Sequence, residues 1–279
     1  MKKILFTALA VLMISFWNCK ENSVEATLDS IQSADDNASA ENEFGAVFDY
    51  INTEGSNATS INGIALSKQD EIQTRERLLP ECATLTIDSA SRTMTIDFGI
   101  TNCLCNDGRY RRGKVIAVFS GKWKDLGSSV TVSLENYYVN DNKVTGTKTI
   151  THTAAHTWHT VVTDASVTTE TGTISWTADR TVEQTAGYNT LTIWDDSYKV
   201  TGSATGTNRK GTNFTVTIDE PLIKKIQLGC ASVFVDGKWT LVNDGGVTMT
   251  LNYDPIGGEP CDKIAEVTIN GKTRRITLR

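Results

Sequence analysis

The chain has 279 residues with 27 Lys and Arg against 33 Asp and Glu, for a net charge of −6. It is long enough to bury a core in one large or two small domains, which excludes a bare signal or linker peptide. The acidic balance lacks the Lys and Arg excess that holds nucleic acid or anionic headgroups, and the short basic run Arg109, Arg111, Arg112 and Lys114 reads as a solvated hairpin rim.

At the N-terminus, Lys2 and Lys3 precede an apolar run from Ile4 to Trp17, followed by Cys19 and a polar, acidic stretch. Such a run is shorter than the roughly 18–20 residues that span a bilayer core, so a secretory leader is expected rather than a retained transmembrane helix. A cysteine directly after it is the layout of a bacterial lipoprotein precursor. Residues 1–18 are then the leader and Cys19 the lipidated residue. Phe16, Trp17 and Asn18 depart from the small residues of a common lipobox, and plain secretion by the same apolar run is the alternative. Residues 1–18 carry two lysines and no acid, so the chain from Cys19 has 25 basic and 33 acidic residues, a net charge of −8.

Residues 19–42 are small, polar and acidic and predict a flexible tether, with too little apolar surface to offset ordering. Residues 43–81 predict a helix and a loop. Phe44, Val47, Phe48 and Ile51 recur at helical spacing and Gly55 supplies a stop, so one amphipathic helix of about three turns is expected from Ala40 to Thr53.

Residues 82–279 change to period two. Met94, Ile96 and Phe98 alternate with Thr93, Thr95 and Asp97, and the pattern returns in Val130–Leu134, Phe214–Ile218 and Val247–Leu251. One face is apolar and the other carries threonine. Turn signals at short spacing end with Asn270-Gly271, a type I′ pair between two β-type runs. Consecutive strands joined this way are antiparallel neighbours. The fold class predicted is all-β: a long antiparallel meander of a dozen or more strands, curled or folded into two layers, with one N-terminal amphipathic helix.

Apart from Cys19 there are five cysteines, an odd number. In an oxidising envelope Cys230 and Cys261 bracket three β-type segments, and Cys82 lies across a hairpin from Cys103 or Cys105. The pairs expected are Cys82 with Cys103 and Cys230 with Cys261. Cys103-Leu104-Cys105 lacks the two-residue spacer of a redox or zinc pair.

All three histidines fall within His152–His159, where imidazole ligands for a metal or haem could gather from His152, His156 and His159. On a strand, His152 and His156 share a face and His159 points away. An exposed polar strand-turn-strand is the alternative, because no local carboxylate or cysteine completes a usual ligand set. Trp194, Asp195, Asp196 and Tyr198 concentrate aromatics and acids, the chemistry of a sugar platform. Adjacent carboxylates on a strand face opposite ways, so they cannot form the facing pair of a glycosidase. There is no P-loop, dinucleotide-binding glycine fingerprint, H-E-x-x-H or G-x-S-x-G elbow. No catalytic residue and no cofactor are indicated.

The block Met94–Gly99, Thr101-Asn102-Cys103, Asn106–Arg109 and Arg112–Ile116, with Glu135–Val139, Gly202–Arg209 and Val267–Lys272, resembles an all-β family of Bacteroidota outer-membrane and surface lipoproteins without an assigned activity. Lys20-Glu21 after Cys19 is similar to the charged tags that send lipoproteins of that phylum to the outer face. The resemblance implies the fold, the cysteine pairing and an outer-membrane location at the periplasmic face or cell surface. Cys105 is an addition to the pattern and is left unpaired. The expected function is a lipid-anchored envelope protein acting as a binding or structural surface module. The alternatives are a carbohydrate-binding lipoprotein and a haem or metal binder. The expected partners are the membrane, through the lipid, and a glycan or envelope protein, with no nucleic acid.

Overall fold

The computed structural model describes residues 18–57, 79–123, 125–190, 192–227, 230, 234–262 and 264–277. The leader up to residue 17, the side chain of Cys19 and the loop over residues 58–78 lie outside the described residues.

Among the described residues one helix, α1 (Asn18–Asn57), precedes fourteen strands. These are β1 (Thr84–Asp88), β2 (Thr93–Asp97), β3 (Cys103–Leu104), β4 (Tyr110–Phe119), β5 (Ser129–Val139), β6 (Asn142–Ala154), β7 (Thr157–Thr169), β8 (Gly172–Ala186), β9 (Ser197–Thr207), β10 (Asn213–Lys225), β11 (Phe234–Asn243), β12 (Thr248–Asn252), β13 (Ile264–Ile269) and β14 (Lys272–Thr277). They form one antiparallel sheet in chain order, with β3 beside β4, and the sheet is open, with β1 and β14 as its edges. The threonine-rich face is turned to solvent and the apolar face inward, as in β8, where Ile174, Trp176, Ala178, Arg180, Val182 and Gln184 are buried and their neighbours exposed. The meander is a single layer of strands. What covers its inner face is α1.

Helix α1 reaches a wide span of strands within a short length. Tyr50 packs against Phe98 just after β2, Phe48 against Trp158 of β7 and Tyr198 of β9, and Asp49 pairs with Lys224 of β10. From Phe48 to Tyr50 the helix advances only about 3 Å, whereas strands β2 to β10 in a flat sheet would spread over many times that distance. The sheet is therefore bowed over the helix. A row of left-handed residues crosses the middle of its strands: Gly113 in β4, Asn136 in β5, Gly146 in β6, Asp164 in β7, Gly202 in β9 and Gly237 in β11. Register shifts accompany them in the ladders β4–β5, β5–β6, β6–β7 and β7–β8. Each shift adds local twist and bends its strand. At Gly146 the requirement is also spatial, because a Cβ there would lie 2.7 Å from Ala165 Cα and 3.1 Å from the Phe44 ring of α1.

The tether expected over residues 19–42 is helical instead. Ser30, Ser33, Asp36, Asn37 and Ala40 are buried and continue the inward stripe of Phe44, Val47 and Ile51. The composition offers little apolar surface, but the sheet offers hydrogen bonds. Asn243 Nδ2 donates to Ser30 Oγ and Asn208 Nδ2 to Ser33 Oγ, each at 3.0 Å, and Trp176 Nε1 donates to Asn37 Oδ1 at 3.0 Å. Buried polar groups satisfied in this way cost little, so tertiary contacts order a segment that would be disordered alone. Both disulfides are present, Cys82–Cys103 and Cys230–Cys261, and Cys105 is a buried free thiol.

Candidate functional site

The hairpins β5–β6, β7–β8, β9–β10 and β13–β14 gather at the end of the sheet where the N-terminal half of α1 enters, as the contacts of Ser33 and Asp36 with Asn208 and Arg209 show. Charge holds the helix to the sheet. Arg180 pairs with Glu41 at 2.6 Å, Arg109 with Glu43 at 3.0 Å, Arg209 with Asp36 and Lys224 with Asp49. Lys148 Nζ donates to the Phe44 carbonyl at 2.8 Å, and burial pulls its ammonium down to about 8, against the support of Glu41 and Asp49. Burial raises the Glu43 carboxyl, opposed by Arg109 and Arg111. Arg111 is fully buried. Asp107 grips it through two hydrogen bonds of 2.7 Å, and its Nε donates to Tyr137 Oη at 3.1 Å.

The helix does not fill the bowed sheet. A cleft of about 2120 Å³ runs between residues 28–43 of α1 and the inner face of β10–β14, and the β5–β6 and β7–β8 hairpins also line it. Its sheet wall is apolar and includes Trp239, Met249, Leu251, Val267, Ile269 and Ile276. Trp239 Nε1 donates to Tyr253 Oη at 3.2 Å, which spends both polar tips inside the wall, and burial pushes the Tyr253 hydroxyl up to about 12. The mouth is polar. Lys143, Lys210, Lys272 and Arg274 line it and are exposed. Ligand pockets of this composition usually measure about 300–1,000 Å³, so the space accommodates a long ligand.

The residues singled out from sequence fall into separate surroundings. Asp196 and Tyr198 do meet, but inside the protein. Tyr198 donates to Asp196 at 3.0 Å, Gln184 Nε2 donates to the other Asp196 oxygen at 2.9 Å, and Asn52 of α1 donates to Tyr198 Oη at 2.9 Å. These groups lock the foot of the helix to β8 and β9. Asp195 is exposed and accepts from the Thr190 hydroxyl, and Trp194 is 36 % exposed on the loop before β9. The four do not form one platform. His152 is buried and stacked on Trp158, His156 stacks on Tyr188 at the β6–β7 turn, and His159 pairs with Asp179 on the outer face at 2.8 Å. Among the described residues no group of three His, Cys, Asp or Glu side chains could hold a metal ion.

The cleft was not legible in the sequence. Its wall residues carry the same alternation as every other strand, and its cations lie on three hairpins far apart in the chain. The one usable signal is local: Lys272 and Arg274 recur two apart in the last strand, on a face that elsewhere carries apolar side chains. Comparison with protein-family models, with curated proteins and with solved structures finds no match to this chain.

Proposed function

We propose that this protein is a cell-envelope lipoprotein, acylated on Cys19 and held at the outer membrane, whose β-body is a non-catalytic binding module for an elongated apolar ligand. The observation that carries the binding half is the open cleft of about 2120 Å³ with an apolar sheet wall. Trp239, Met249 and Leu251 of that wall are nearly covered and Val267 and Ile276 are half-buried, so the support is the concavity beside the core, the usual form of a ligand site. The layout of residues 1–19 and the resemblance to Bacteroidota surface lipoproteins support the location.

Among ligand classes, the geometry favours an apolar molecule over a glycan or haem. The carboxylate of Asp196 and the hydroxyl of Tyr198 are occupied by each other, and the three imidazoles face different surroundings. The neutral dye Nile red tests the reading. Its emission should rise on addition of the full chain and fall by at least half for Val267→Trp, which projects bulk into the cleft. A signal unchanged by that substitution would remove the cleft as the binding site.

A further inference from the structure

The charge of the whole chain argues against anionic partners, but its distribution around the cleft is the reverse. Of the carboxylates that line it, Glu41, Glu43, Asp107 and Asp141 are each engaged by an arginine. Asp35, 3.9 Å from the Arg209 that Asp36 also engages, and Glu170, at the tip of the β7–β8 hairpin, are exposed, two acids against four cations unpaired among the described residues. Of the cations, Arg109, Arg180 and Arg209 are engaged by acids of α1. Among the described residues no salt bridge engages Lys143, Lys210, Lys272 or Arg274. The mouth therefore holds an excess of positive charge in a protein with a net charge of −6.

Register places two of these cations over the apolar wall. In the β13–β14 ladder Lys272 is opposite Ile269, Arg274 opposite Val267 and Ile276 opposite Ala265. Directly opposed residues share a face, so Lys272 and Arg274 lie on the inner side with Ile269 and Val267, both of which line the cleft. Charges on an edge strand discourage pairing with other chains, and Arg275 on the outer face, opposite Glu266, already serves that end. Lys272 and Arg274 instead flank apolar side chains that a ligand would cover.

Orientation adds a second line. The mouth is at the end where α1 enters, and Cys19 precedes Leu28, the first cleft residue among the described side chains of the helix, by nine positions, about 14 Å of helix. An acyl group on Cys19 would hold this mouth toward the bilayer rather than away from it.

We propose that the cleft binds a long-chain amphiphile with an anionic head, its chain laid along β10–β14 and its head held by Lys272 and Arg274. This rests on the apolar-ligand reading above and adds the charge of the head. The full chain in non-ionic detergent, with empty micelles as background, is incubated with radiolabelled palmitate, phosphatidylglycerol or hexadecanol and separated by rapid gel filtration. Palmitate or phosphatidylglycerol should be retained at least tenfold more than hexadecanol, and which of the two separates a free fatty acid from a bilayer lipid. The doubly substituted Lys272→Gln, Arg274→Gln chain should lose that preference while keeping the hexadecanol signal, which also shows that the cleft is still folded. Equal retention of hexadecanol and the anions, or an anion preference that survives the double substitution, would overturn the head-group assignment and leave the apolar cleft standing. Retention of none of the three would overturn the cleft reading itself.

Discussion

Lys148 offers the sharpest test of how α1 is held. Its ammonium is buried beneath the helix, donates to the Phe44 carbonyl and sits among Glu41 and Asp49 on α1, Arg180 on β8 and Lys224 on β10. Burial lowers it from 10.5 to about 8, and the repulsion of Lys224 and Arg180 adds to this, while Glu41 and Asp49 oppose it. At ~1.4 kcal/mol per unit, keeping this charge in the native protein below pH 8 costs about 3 kcal/mol. Between pH 8 and 10.5 the native state releases a proton that the unfolded chain keeps, so the unfolded state binds more protons and stability rises with pH. Lys148→Met removes the charge and forfeits one hydrogen bond worth ~1 kcal/mol. The variant should be about 2 kcal/mol more stable than the parent at pH 7, and the difference should reverse to about 1 kcal/mol less stable near pH 10.5, where only the lost hydrogen bond remains. The buried tyrosines whose hydroxyls are raised, Tyr50, Tyr137 and Tyr253, are present in both chains and cancel in the difference. Urea unfolding followed by tryptophan emission at several pH values between 7 and 10.5 measures it. A variant less stable at pH 7, or a difference that does not change with pH, would refute the reasoning.

Three further outcomes follow from the same packing. Asp36→Ala strips the carboxylate that accepts from the Arg209 backbone and guanidinium and from Gln32, and should cost about 3 kcal/mol; amide exchange should accelerate over residues 28–40 before it does in the sheet. Gly146→Val forces a branched side chain into φ +135° against Ala165 and Phe44, for a loss of ~3 kcal/mol or more in the denaturant midpoint. Cys105 should resist a thiol reagent in the native protein and react in denaturant, while Cys82–Cys103 and Cys230–Cys261 stay oxidised in the intact mass; a thiol that reacts at once in the native state would contradict its burial.

The parts of this fold that depend on near neighbours were readable from residue order. Met94, Ile96 and Phe98 point inward because a strand alternates its side chains, and Asn270-Gly271 turns the last hairpin because glycine and asparagine accept left-handed backbone. Leaving Cys105 out of the pairing followed from the family resemblance, whereas the meander followed from such signals. The first half of α1 did not, because Ser30, Ser33, Asp36 and Asn37 carry a helical period in polar residues, and polar residues announce burial only when their partners are known. Those partners, Asn243, Asn208, Arg209 and Trp176, lie about 140 to 210 positions away. The cleft belongs to the same class. Net charge is a sum over the chain, whereas the positive mouth arises because arginines elsewhere on the sheet are consumed by the helix and Lys272 and Arg274 are not. Which charges find a partner is decided by the bow of the sheet around α1, a property of the assembled strands rather than of any one of them.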